Sequence, residues 1–163
     1  MENRPIAREK FKTPEEELDF LRAEVERRER ELKEGDLDIG RERIAQEEVK
    51  RYREAPAEAV LHEAHRLPEK QEESLALGLS PETHDNQMME LIQIIRAKGV
   101  KNAMAVVARL RNPHLDDDFE KFLVQLVKAG FALGLGKKNS LFRALQMTLY
   151  EINLDSFLFS FSF

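Results

Sequence analysis

The sequence predicts an all-α fold, a charged N-terminal helical hairpin or arm followed by a compact module of three to four helices. Three observations carry this reading. Apolar residues recur at three- and four-residue spacing along most of the 163 residues. Gly and Pro fall at the ends of those periodic runs rather than inside them. Alternating, β-favouring patterns are confined to the last fifteen or so residues.

The first helix is expected from about residue 14 to 34. In "TPEEELDFL", Thr13 is placed to cap, Pro14 suits the first helical position and Glu16 completes a capping box. Leu18, Leu21, Val25 and Leu32 recur at heptad spacing, with Arg28 interrupting the seam. After the break "EGDLDIG" a second charged helix is expected from about 41 to 54, with Ile44, Ala45, Val49 and Tyr52 toward one side and Pro56 ending it. These two helices suit either an antiparallel hairpin or an extended arm pairing with a second copy of the chain. Both apolar faces are thin, so this region is expected to contribute little stability by itself.

A short helix in "PAEAVLHEAHRL" and a polar stretch over 69–80, a linker or a frayed helix, follow. Helices are next expected in "HDNQMMELIQIIRAKG", ending at Gly99, in "VKNAMAVVARLRNP", and in "HLDDDFEKFLVQLVKAG" with Phe119, Phe122, Leu123 and Leu126 inward. The expected organisation is an arm over 1–68, the linker, a bundle over 81–147, and a tail over 148–163. "MTLYEINL" and "SFLFSFSF" alternate like strands without a partner elsewhere. Such a tail is expected to be disordered, paired between molecules, or the start of a missing domain.

Composition narrows the chemistry. Cysteine is absent, which removes disulfides, thiolate catalysis and thiolate-bound zinc. Neither a signal peptide nor a run of about 18 apolar residues occurs, so a cytoplasmic location with no membrane span is expected. The net charge of −5 is uneven. Residues 1–74 carry 16 Lys and Arg against 22 Asp and Glu, and the remainder carries 10 against 9.

No motif completes a catalytic, cofactor or metal site, and none of the three is expected. "GFALGLGKKNS" resembles a phosphate loop, but Phe131 stands where its first glycine is required and Lys138 where its hydroxyl residue belongs, after Lys137. His62 and His65 are two potential ligands where zinc needs three or four. Asp116, Asp117 and Asp118, with His114 nearby, suit the electropositive first turn of a helix. "IRAKGVKNAMAVVARLR" is similar to a helix-turn-helix, and Lys98, Lys101, Arg109 and Arg111 are the residues that would meet nucleic acid in that alternative reading. The early face of its second helix offers Asn102, Ala103, Ala105 and Val106, which favours core packing over base reading, and nucleic acid is not the expected partner.

The run from "HDNQMMELIQIIRAKGVKNAMAVV" through "NPHLDDDFEKFLVQLVKAG" to "LFRALQMTLYEI", roughly residues 80–152, resembles a helical segment of large bacterial proteins associated with type IV secretion or conjugation-like ATPases. The resemblance implies a non-catalytic interaction or assembly module, a membrane-associated secretion ATPase as protein partner, and ATPase chemistry residing elsewhere. It also implies that "MTLYEI" begins a strand of a further domain. The ending "NLDSFLFSFSF" departs from that family's pattern.

Overall fold

The computed structural model describes residues 9–35 and 39–128. The phosphate-loop-like stretch and the tail over 148–163 lie outside the described residues, as does the bundle beyond Lys128. Among the described residues there are seven helices: α1 (Pro14–Glu34), α2 (Arg41–Glu54), α3 (Ala57–Val60), α4 (Glu69–Leu79), α5 (His84–Lys98), α6 (Val100–Leu110) and α7 (Pro113–Lys128). The expected all-α class holds for these residues, which include no strand.

Local chemistry accounts for most helix ends. The Thr13 side chain accepts from the Glu16 amide at 3.3 Å, and Glu16 Oε2 accepts from the Lys12 amide at 2.6 Å, so the capping pair reaches back one residue further than usual. Thr83 caps α5 through the Asn86 amide at 3.4 Å. Asn112 Oδ1 accepts from the Leu115 amide at 3.3 Å, and Pro113 occupies the first position of α7, so this proline opens a helix as well as following one. Arg111 makes the α6–α7 turn in a left-handed conformation, φ 51°.

α1 and α2 form an antiparallel hairpin. Their partners run in opposite order: Arg28 binds Glu48 and Glu47, each at 2.9 Å, whereas Tyr52 near the end of α2 reaches back to Glu17 near the start of α1. Arg28, the residue that interrupts the heptad seam, is thus the clasp of the hairpin. α2 in turn lies antiparallel to α7, with Arg41 Nε donating to the Lys128 carbonyl at 3.3 Å and Arg53 paired to Asp116 at 2.8 Å.

The hairpin does not stand apart from the later helices. Leu18, Leu21, Val25, Ile44, Val49 and Tyr52 are buried in the same compact unit as Leu91, Ile95, Val107, Phe119 and Phe122. The separation expected between an arm over 1–68 and a bundle from 81 is therefore absent within the described residues. A narrow seam on each of two helices becomes a sufficient face once α5, α6 and α7 cover it. The apolar positions that would have paired with a second chain are spent within this one.

The stretch over 69–80, read as a linker or a frayed helix, is largely α4. Its few apolar residues gave a weak pattern, but Ala76 and Leu79 are buried and Arg109 of α6 grips its acidic side. That guanidinium reaches Glu72 at 2.9 Å, Glu69 at 3.3 Å and Glu73 at 3.4 Å. The short helix after Pro56 is also briefer than expected. Leu61 leaves it to pair in parallel with Phe11, the Phe11 amide donating to the Val60 carbonyl and the His62 amide to the Phe11 carbonyl, both at 2.8 Å.

Stability should consequently be shared. Leu21 is 1 % exposed and Phe122 2 %. Truncating either to alanine is expected to cost several kcal/mol, about 2–5 for Leu and 3–5 for Phe. Urea midpoints of Leu21→Ala and Phe122→Ala should fall by comparable amounts in a single transition. Two transitions, or a mild effect confined to Leu21→Ala, would show that the hairpin melts independently.

Candidate functional site

The densest cluster of chemically capable groups lies where α1, α2 and the start of α6 meet. Glu17 is fully buried there. Its carboxylate accepts three hydrogen bonds: from the Tyr52 hydroxyl at 2.6 Å and from the backbone amides of Val100 and Lys101, each at 3.0 Å. The two amides belong to the first turn of α6, where helices carry unpaired donors and partial positive charge. Gly99, the residue at the cap position, has no side chain to serve them. Glu17 performs the capping role across 83 and 84 residues of chain.

Gly99 makes the arrangement possible in two ways. Its backbone turns from α5 into α6 at φ 95°, a region that side chains disfavour. A Cβ at this position would collide with the Glu17 carboxylate and press on His65 Nε2.

Lys101 completes the cluster. Its Nζ donates to the carbonyls of Tyr52 at 2.9 Å and Arg53 at 2.8 Å, at the C-terminal end of α2, and sits 5.5 Å from the Tyr52 ring centre. Asn102 ties in the segment before α4. Its Oδ1 accepts from the Leu67 amide at 3.1 Å, and its Nδ2 donates to the His65 carbonyl at 2.9 Å and the Lys98 carbonyl at 2.7 Å. His65 Nε2 stands 3.6 Å from Glu17 Oε2 and has no hydrogen-bond partner among the described residues.

Burial shifts two of these groups. Desolvation pushes Lys101 down to about 8, against a partial counterweight from Glu17. Desolvation, reinforced by the Glu17 charge and hydrogen bond, pushes the Tyr52 phenol well above its ordinary value.

These two shifts act on stability in opposite directions at alkaline pH. Above about 8 the folded chain has lost the Lys101 proton that the unfolded chain keeps to about 10.5, so stability rises with pH through that interval. Above about 10 the unfolded chain releases the tyrosine proton that the folded chain retains, and stability is lost as pH rises further. The unfolding free energy of the wild type, referred to Lys101→Met in denaturant melts, should climb between pH 8 and 10 by an amount on the order of 2 kcal/mol. A flat difference would show that Lys101 is not desolvated as described.

The other sequence candidates scatter. Of the four cations in the helix-turn-helix reading, Lys101 is buried in the cluster and Arg109 is held by three α4 carboxylates, while Lys98, the last residue of α5, and Arg111, just after α6, are exposed. They do not share a basic face. His62 is exposed, its Nδ1 accepting from the Ala64 amide at 3.2 Å, so it does not join His65 as a ligand pair. Asp116 binds Arg53, Asp118 lies 3.1 Å from His84 and 3.6 Å from Lys121, and Asp117 is exposed. No group of three potential metal ligands occurs among the described residues. An open groove of about 450 Å³ between α2 and α7 is lined by charges of both signs, including Glu42, Lys50, Asp117 and Lys121.

Sequence reasoning missed Glu17, which reads as one of three first-turn glutamates serving the α1 dipole. The signal was its register: Glu17, Leu21 and Val25 are spaced by four, so a carboxylate stands at the head of an apolar stripe. Comparison with protein-family models, with curated proteins and with solved structures finds no match to this chain.

Proposed function

We propose that this chain is a non-catalytic helical interaction and assembly module. One observation supports this above others: the cluster best equipped for chemistry is closed and committed to architecture. Glu17, Tyr52 and Lys101 are all nearly inaccessible, and the hydrogen bonds of Glu17 and Lys101 run to helix ends or to each other's neighbours. A site of that kind fixes how helices are presented; it does not receive a substrate. The work of the protein then belongs to its outer surface.

The partner class rests on the resemblance of residues 80–152 alone. We take it to be a membrane-associated ATPase of a type IV secretion-like apparatus, met from the cytoplasmic side. No helix among the described residues is long and apolar enough to cross a membrane, so the proposal places membrane attachment on the partner. Affinity capture of the full chain from native cells after cross-linking, read by mass spectrometry, tests the assignment. Recovery of a secretion-type ATPase is the expected result. Recovery of DNA in its place, weakening steeply with added salt and reduced by Lys98→Ala with Arg111→Ala, would replace the module by the regulator reading.

A further inference from the structure

Leu77 of α4 is 75 % exposed and Met89 of α5 42 %, the only large hydrophobic side chains so displayed among the described residues. They belong to the two helices that the Ser80–Thr83 turn joins. Leu77 is two residues from the end of α4 and Met89 five residues into α5, and Gln87 Nε2 ties the two helices by donating to the Leu79 carbonyl at 2.9 Å. Isolated exposed apolar residues are common on protein surfaces, so their charge setting is what matters here.

That setting is unlike the rest of the chain. Lys and Arg number 26 in 163 residues, yet none occurs from residue 71 to 95. The same 25 residues carry Glu72, Glu73, Glu82, Asp85 and Glu90. Arg109 occupies the first two. Around the corner itself Glu82 and Glu90 are exposed without a cationic partner among the described residues, and Asp85, 76 % exposed, has only His84 nearby at 3.8 Å. Asp85 precedes Met89 by four residues and so shares its helix face. Several carboxylates elsewhere are paired, Glu24, Glu29, Glu47, Glu48 and Glu120 facing arginines. The α4–α5 corner thus combines displayed apolar side chains with unmatched negative charge.

Resting on the interaction-module reading, we propose that the α4–α5 corner is a docking site for a cationic amphipathic helix of a partner protein. Leu77 and Met89 receive its apolar face, Met89 adapting its shape to the anchor, while Glu82, Asp85 and Glu90 meet lysines or arginines along the edge. Charge complementarity selects this occupant over a neutral or acidic one.

The test uses the full chain and a fluorescent amphipathic peptide, leucine on one helical face and lysine on the other, followed by anisotropy. Saturable one-to-one binding is expected, weakening at least about tenfold in Leu77→Ser/Met89→Ser and also in Asp85→Lys/Glu90→Lys. Both pairs are exposed, and circular dichroism should show the helices retained. Glu26→Lys on the exposed side of α1 should leave affinity unchanged. Equal weakening by Glu26→Lys, or binding that never saturates, would reduce the effect to general charge attraction and overturn the proposal. So would self-association of the wild type in sedimentation that disappears in Leu77→Ser/Met89→Ser, since a second copy would then own the corner. A secretion-type partner captured equally by wild type and both corner variants would sink this docking site while leaving the module reading standing. Peptide binding as expected, with no such partner captured, would do the reverse.

Discussion

Replacing Glu17 with alanine is expected to remove about 3–5 kcal/mol of stability, a large share of what a domain of this size possesses. The loss has three sources acting together. Two amides of α6 and the Tyr52 hydroxyl lose their acceptor inside the protein, where no replacement is at hand. The neighbouring Lys101 loses the anion that offsets its burial. The vacated volume is too enclosed to collapse freely. Glu17→Gln should be milder, because one carbonyl oxygen still accepts, although the new amide nitrogen cannot accept from the donors it faces. Tyr52→Phe should cost about 1–2 kcal/mol. In chemical melts, the double variant Glu17→Ala/Tyr52→Phe should be less unstable than the sum of its parts, since the second change removes a donor the first had orphaned. Additive shifts would mean that the two side chains do not act as a unit.

Gly99→Ala is expected to be at least as damaging, for a different reason. Alanine at φ 95° strains the backbone, and its methyl group enters the space of the Glu17 carboxylate. That carboxylate cannot swing aside without surrendering its three donors. The effect should therefore be partly relieved in the Glu17→Ala background, where the collision is gone and only the backbone strain remains. Thermal melts of the two single variants and the pair decide the matter. Full additivity would place the whole cost in the backbone, and a harmless Gly99→Ala would refute the described packing.

Helix positions were legible in this sequence wherever punctuation and periodicity agreed. Thr13-Pro14 fixed the start of α1, Pro56 the end of α2, and Gly99 the break between α5 and α6, because each residue has a backbone preference that tertiary packing does not reverse. α4 was not legible. It has little apolar surface, and what holds it is supplied by Arg109 and the face of α6, which local pattern cannot reveal. The thin seams of α1 and α2 misled for a related reason. A seam is thin or sufficient only relative to what covers it, and α5 to α7 lie too far along the chain for a window to include them.

The candidate site was less legible still. Glu17 is surrounded in sequence by Glu15 and Glu16, and Lys101 by a basic run, so each has an ordinary surface explanation. Their burial follows from register: Glu17 in line with Leu21, and Lys101 beside Val100 and Met104 on the inner side of α6. Composition could not separate these from their exposed neighbours. The encounter of α1 with α6 was needed to do so.

The long-range cap also governs when α6 becomes secure. Amides in the first turn of a helix usually lack intrahelical partners and exchange readily with solvent hydrogen. The Val100 and Lys101 amides are held by a residue from the opposite end of the described chain, so they become accessible only when α1 departs. They should rank among the slowest-exchanging hydrogens of the protein, reporting whole-molecule opening rather than local fraying. The same dependence orders assembly. During synthesis Glu17 emerges long before its partners exist, and α6 cannot finish its first turn until a loop of more than eighty residues has closed, placing this contact late in folding.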